Sequence, residues 1–302
     1  MIDARNLGFR YHGGRWVFRG LDVTVGPATI TSLLGSNGAG KSTLLRLLAG
    51  ITDPSEGSVT RAGEVGFVPQ ATAGVFQYPV FDMVLMGRAR RLGMFSQPGA
   101  RDRRIAADAL DRVGMSHLAS RPFTGLSGGQ QQLILIARAL ATECDTLILD
   151  EPVSALDLRN QAKVLELLAD LRREGMAVVL STHSPEHALH LGGQALVLDP
   201  VEGLRAGPAD QLLADDVLSD LYGIDLFRVA VPDGERRRDI VVTRYDSVRD
   251  AVTVPPRRGS GARGAPTVPP RRGSGALKPS VPHPNPSVPT PIPPPSQPRR
   301  KK

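Results

Sequence analysis

Cysteine is almost absent: the 302-residue chain has one, Cys144. A single thiol excludes an internal disulfide framework. Its place just before an apolar run marks it as a small packed residue rather than a metal ligand. Long apolar runs are missing too. Those present are short and broken by charge, well under the roughly 20 residues that a membrane-spanning helix needs. The opening Met1-Ile2-Asp3-Ala4-Arg5-Asn6 has no signal-peptide character, so a cytoplasmic chain is expected, reaching a membrane only through a partner. Acidic and aromatic residues are both absent from 251–302, where ten of the 37 Lys and Arg lie. The rest of the chain therefore holds 27 basic against 30 acidic residues, a net charge of −3, and the formal +7 of the whole belongs to the tail. Without aromatics that tail lacks the base-stacking platforms of single-strand binders, and no nucleic-acid partner is expected.

The tail is compositionally distinct. A ten-residue repeat, Thr253 to Ala262 and again Thr267 to Ala276, is followed by dense proline and a closing Arg299-Arg300-Lys301-Lys302. Such a segment cannot bury enough apolar surface to offset its ordering entropy, so disorder with polyproline character is expected over 251–302. A solvated, dispensable extension is the reading favoured over lipid attachment or a proline-rich ligand. Residues 231–250 form a further extension in which Ile240-Val241-Val242-Thr243 reads as a last strand.

What the body does contain is a glycine loop in a telling context. Thr29 to Leu34 is β-branched and apolar and reads as a buried strand. Ser42 to Ala49 reads as a helix stopped near Gly50. Between them Gly35-Ser36-Asn37-Gly38-Ala39-Gly40-Lys41-Ser42-Thr43 meets the pattern G-x-x-x-x-G-K-[ST]. Gly38 and Gly40 allow backbone N–H groups to point at phosphate oxygens, and the helix N-terminus favours an anion. Lys41 is expected to reach the β- and γ-phosphates of a nucleotide, with the Ser42 hydroxyl on Mg²⁺. By itself this loop leaves kinases, GTPases and transport ATPases open.

Two further segments narrow the choice. Thr146-Leu147-Ile148-Leu149 is an apolar strand ending in Asp150-Glu151, where Asp150 can hold the magnesium shell and Glu151 can orient the attacking water. Leu126-Ser127-Gly128-Gly129-Gln130 precedes a helical run over Gln131 to Ala141. Ser127 reads as its N-cap, and the N–H groups of Gly128 and Gly129 as a second anion site.

Loop, Ser127-Gly128-Gly129-Gln130 and acidic strand, in this order, resemble the ATP-binding subunit of an ABC transporter. The resemblance covers about residues 1–230. It implies an α/β P-loop NTPase fold, with a mixed-sheet, RecA-like core and a helical subdomain over about 71–145. It implies that Ser127 to Gln130 face the γ-phosphate held by the loop of another subunit, so that two chains, expected to be a homodimer, share two ATP sites. Tyr11 matches the aromatic that stacks on adenine. Gln70 matches the glutamine that contacts Mg²⁺ and water and connects to the permease. Ser154-Ala155-Leu156-Asp157 matches the loop crossing the dimer interface. His183, after Ala177 to Leu180, matches the histidine that holds the γ-phosphate and water. Ser36 stands where the family commonly has proline, and Val153 where it has threonine or serine.

The branch is suggested by Val80 to Arg88, Leu92-Gly93-Met94-Phe95-Ser96, Gln132 to Leu140, Leu156 to Gln161 and Thr182 to Leu189. These resemble importers of iron–siderophore, haem or cobalamin, with molybdate or tungstate importers sharing much of the text and zinc or manganese importers less. The resemblance implies integral membrane permease subunits as direct partners, an extracytoplasmic substrate-binding protein as an indirect one, and a position on the inner face of the membrane. His187 and His190 read as helix-surface residues rather than a metal pair.

Overall fold

The computed structural model describes residues 1–70, 77–92, 96–154, 156–234 and 236–247. The chain opens with β1 (Ile2–Arg10) and β2 (Trp16–Val25), which pair antiparallel. Their alternation, reset by register shifts between Ala4 and Phe9, turns Ile2, Ala4, Leu7, Phe9, Phe18, Leu21, Val23 and Val25 inward. Next come β3 (Ile30–Gly35), helix α1 (Lys41–Ala49), β4 (Glu56–Arg61) and β5 (Val65–Val68). β4 completes a three-stranded sheet in the order β2-β1-β4. Every residue of β3 is buried, as a strand covered on both faces requires.

A helical segment follows: α2 (Val80–Leu85), α3 (Ala100–Arg112) and α4 (Gly128–Leu140), linked by short 3₁₀ turns. Arg88 ties it together. This buried guanidinium bonds the Asp102 carboxylate at 3.0 Å, the Ala141 carbonyl at 2.8 Å and the Glu143 carboxylate at 2.8 Å. The chain then alternates through β6 (Thr146–Leu149), α5 (Leu158–Arg173), β7 (Ala177–Ser181), α6 (Pro185–Leu191), β8 (Gln194–Asp199) and β9 (Gly203–Pro208). It closes with α7 (Ala209–Leu212), α8 (Asp215–Tyr222), β10 (Leu226–Asp233) and β11 (Arg236–Thr243).

The central sheet runs β5-β6-β7-β3-β8-β9, parallel except for the β9 edge. Leu44, Leu45, Leu47 and Leu48 of α1 share a core with the inner residues of β1 and β2 and with Leu33, Ile148 and Val179 of the sheet. A second core joins Leu149, Val178 and Leu180 to α5 and the helical segment. Because β3, β6 and β7 are parallel, the loops after all three emerge at one sheet edge, where open α/β sheets bind ligands.

The last strand expected at Ile240 to Thr243 is longer than the sequence suggested. β11 pairs with β10 from Leu226↔Thr243 to Asp233↔Arg236. A division at residue 230 therefore falls inside β10, because the pairing makes 226–243 one hairpin. The tail over 251–302 lies outside the described residues, as do Gly93, Met94, Phe95 and Ala155. Among the described residues no helix is long and apolar enough to cross a membrane. Cys144 is buried, as expected of a packed residue.

Candidate functional site

The glycine loop sits between β3 and α1. Gly38 and Gly40 have φ of 81° and 101°, a region that side-chain-bearing residues rarely adopt. A Cβ on Gly40 would stand 2.6 Å from Val17 Cγ1, and one on Gly35 2.7 Å from the Leu198 carbonyl oxygen. Lys41 is 7% exposed. Its ammonium donates to the loop's own carbonyls, Gly35 at 2.7 Å and Ser36 at 3.2 Å. Burial pulls its pKa down, opposed by the charges of Glu151 and Asp150. A buried cation held by loop carbonyls at a helix N-terminus is a site whose desolvation cost an incoming polyanion offsets, so the residues present fit a nucleotide triphosphate.

Asp150 and Glu151 follow β6 at the same edge. Asp150 is 4% exposed and accepts a hydrogen bond from the Ser181 hydroxyl at 2.7 Å. The Glu151 backbone N–H donates to that same hydroxyl oxygen at 2.8 Å. Glu151 has φ 47°, a left-handed conformation in a non-glycine residue. Its carboxylate accepts from Gln70 Nε2 at 3.1 Å, which turns the Gln70 amide oxygen away from Glu151 as a lone-pair ligand for a cation. Ser42 hydroxyl, Asp150 carboxylate and Gln70 amide are hard oxygen ligands, the type Mg²⁺ takes alongside phosphate oxygens.

The segment before α4 is capped as expected. The Gln130 N–H donates to Ser127 Oγ at 3.3 Å and the Ser127 N–H to Gln130 Oε1 at 3.1 Å, a reciprocal capping box. Ser127 and Gly128 are exposed, and a Cβ on Gly128 would meet nothing within 4 Å. Of the first-turn N–H groups of α4, that of Gln130 is taken by the Ser127 cap, and the start of the helix lies at an exposed surface.

The sequence model of the family described as ABC transporter matches residues 18–154. The molybdate import ATP-binding protein MolC of Haemophilus influenzae is 43% identical over 227 residues, 75% of this chain and 89% of that protein. The chain belongs to the ABC transporter family. The iron(3+)-hydroxamate import ATP-binding protein FhuC of Bacillus subtilis is 31% identical over 82% of this chain and 96% of its own length. Among solved structures, a transporter assigned to the metal-chelate type, in an inward-facing conformation, superposes with a TM-score of 0.76 at 40% identity, covering 81% of this chain and 98% of that one. The dimeric ATP-binding cassette MJ0796, in a post-hydrolysis state with ADP and Pi, gives 0.63 at 25% identity over 69% and 99%. This chain is thus an ABC ATPase that binds ATP, of a family whose cassettes form dimers and work with membrane permease subunits.

Within the cassette, the Tyr11 hydroxyl shares a hydrogen bond with Thr43 Oγ1 at 2.9 Å, and its ring meets Phe9 edge-on at 4.8 Å while remaining 56% exposed. That is an aromatic face standing beside the loop. Asp157 is the N-cap of α5, accepting from the Asn160 N–H at 2.8 Å. His183 follows β7 with an exposed side chain, and its backbone carbonyl accepts from the Tyr222 hydroxyl at 2.8 Å. His187 departs from the surface reading: it is half-buried, its Nδ1 is sealed without a partner among the described residues, and burial followed by the His183 charge lowers its pKa. His190 is exposed. No cluster of His, Cys, Asp and Glu among the described residues is suited to a metal.

Two residues of the cassette escaped the sequence reading. Ser181 stood in the sequence only as a residue between the Ala177 to Leu180 strand and His183, with no role of its own. The signal was the register: β6 and β7 pair Leu149 with Leu180, so the residues that follow, Asp150 and Ser181, stand level. Tyr222 carried no signal, because its bond to the His183 carbonyl joins elements 39 residues apart.

Proposed function

We propose that this chain is the ATP-hydrolysing subunit of an importer, powering passage of a metal chelate of the iron–siderophore, haem or cobalamin type through an integral membrane permease. It works as a homodimer on the inner face of the membrane, with an extracytoplasmic substrate-binding protein delivering the ligand on the other side. The observation that carries the ATPase chemistry is the convergence of Lys41, Gln70, Asp150, Glu151 and Ser181 at one sheet edge.

The residues divide the work. Tyr11 stacks on adenine. Gly35, Ser36, Asn37, Gly38, Ala39, Gly40 and Thr43 wrap the phosphates with backbone and hydroxyl donors, and Lys41 grips the β- and γ-phosphates. Ser42, Gln70 and Asp150 hold Mg²⁺, which when bound neutralises the charge on the phosphates. Glu151 orients and polarises the attacking water, and His183 holds it against the γ-phosphate. Ser127, Gly128, Gly129 and Gln130 reach the γ-phosphate held by the other copy, whose approach Asp157 and its loop line. Two chains gripping one γ-phosphate favour the closed dimer. Hydrolysis removes that differential affinity, and the dimer reopens.

The metal-chelate assignment is supported by likeness to a transporter of that type along nearly the whole of its chain and by the iron(3+)-hydroxamate relative. A molybdate importer is the second reading, favoured by the 43% identity with MolC. Uptake by vesicles holding this chain with its permease separates them: ATP-dependent accumulation of a labelled siderophore, haem or cobalamin supports the first, and of labelled molybdate alone the second.

A further inference from the structure

We infer that Ser181 is a positioning residue for hydrolysis, holding Asp150 and Glu151 in their working geometry through one hydroxyl. The inference rests on the roles of Asp150 and Glu151 proposed above. Ser181 is completely buried. Its hydroxyl donates to Asp150 Oδ1 at 2.7 Å and accepts from the Glu151 backbone N–H at 2.8 Å. The two bonds use the hydroxyl in both senses, donor and acceptor, which neither a methyl nor a carbonyl could do.

The geometry gives these bonds a task. Glu151 sits at φ 47°, a conformation that persists in a non-glycine residue only when its surroundings enforce it. The Ser181 bond fixes the Glu151 N–H, and with it the plane from which the Glu151 side chain leaves the sheet. The same hydroxyl fixes which oxygen of the buried Asp150 faces the protein and which is left for a cation. Ser181 is also two residues before His183 in the chain, so its bonds tie the end of β6 to the strand from which His183 leaves the sheet.

The test compares Ser181→Ala, Ser181→Thr and Ser181→Cys with wild type and with Glu151→Gln, in steady-state ATP hydrolysis with KM and Tm measured for each. A misplacement of an ångström or less can cost about a hundredfold in rate, and Ser181→Ala is expected to lower kcat roughly tenfold to a hundredfold with KM for ATP within about twofold. Ser181→Thr, which keeps the hydroxyl, recovers most of that loss, and Ser181→Cys falls between. A folded Ser181→Ala protein with wild-type kcat overturns the inference, as does a fall in kcat matched by an equal rise in KM. If Ser181→Ala fails to fold, Ser181→Cys decides, and wild-type turnover there is equally fatal. Glu151→Gln separates the two levels. If it turns over normally, the role of Glu151 itself fails. If it is inactive while Ser181→Ala is normal, only the role of Ser181 fails.

Discussion

Lys41 illustrates how a single residue can be costly to the empty protein and indispensable to the loaded one. Its ammonium is buried and hydrogen-bonded to two backbone carbonyls, and burial lowers its pKa against the opposing charges of Glu151 and Asp150. Removing it should therefore leave the unliganded fold intact while abolishing ATP binding. Lys41→Ala is expected to keep its Tm without nucleotide and to lose the upward shift that saturating ATP gives the wild type, a shift worth about 2.7 kcal/mol at a hundred times Kd. Tyr222 supplies a pH signature. Burial pushes its phenol up to about 12, against about 10 in the unfolded chain. Stability from the neutral phenol is fully present below pH 10 and is lost as pH rises toward 12, because the unfolded chain gives up the proton first. Wild type should thus lose up to about 3 kcal/mol more than Tyr222→Phe between pH 10 and 12 in denaturant titrations. Equal slopes for the two proteins would mean that the phenol gives up its proton as readily in the folded chain as in the unfolded one.

The elements that carry the site were largely legible because each is local. Glycines needing positive φ, an apolar strand of four to six residues and a Ser-Gly-Gly helix start are all written in consecutive residues, and β3, α1, β6, β7 and α4 fall within a few residues of the boundaries read from sequence. What was not legible depends on register or on distant elements: the juxtaposition of Asp150 with Ser181, the partial burial of His187, and the full length of the β10–β11 hairpin, whose β11 opens on three arginines and an aspartate that hide its strand periodicity. Two predictions belong to this scale. Gly40→Ala forces a Cβ into a left-handed loop position 2.6 Å from Val17 Cγ1. It should cost about 1–3 kcal/mol of stability in urea unfolding and weaken ATP binding, while Gly128→Ala, which meets nothing, leaves stability within about 0.5 kcal/mol of wild type. Arg88→Ala takes a buried guanidinium from Asp102, Glu143 and the Ala141 carbonyl and loosens the helical segment, although Asp102 keeps the Gly99 N–H and Glu143 the more distant Arg91. A loss of about 1–3 kcal/mol is expected by the same measurement, from the hydrogen bonds removed and the Ala141 carbonyl left without this partner, and a loss below about 0.5 kcal/mol would show that the ion pairs are dispensable to the helical segment.

At the scale of the whole molecule, a family-typical ATPase body of net charge −3 is followed by a basic, proline-rich tail. Truncation after Val252 should leave ATP turnover within about twofold of the full chain, because every residue assigned to hydrolysis precedes it; a fall in kcat would assign the tail a part in the cycle. The central claim is that ATP held by this chain drives a membrane permease. The most direct test is to express the Glu151→Gln form in its own host, extract membranes in Mg·ATP and identify what co-purifies. Recovery of a many-span permease at stoichiometric yield is the predicted result. Recovery of ribosomes or nucleic acid with no integral membrane protein would contradict the transport account.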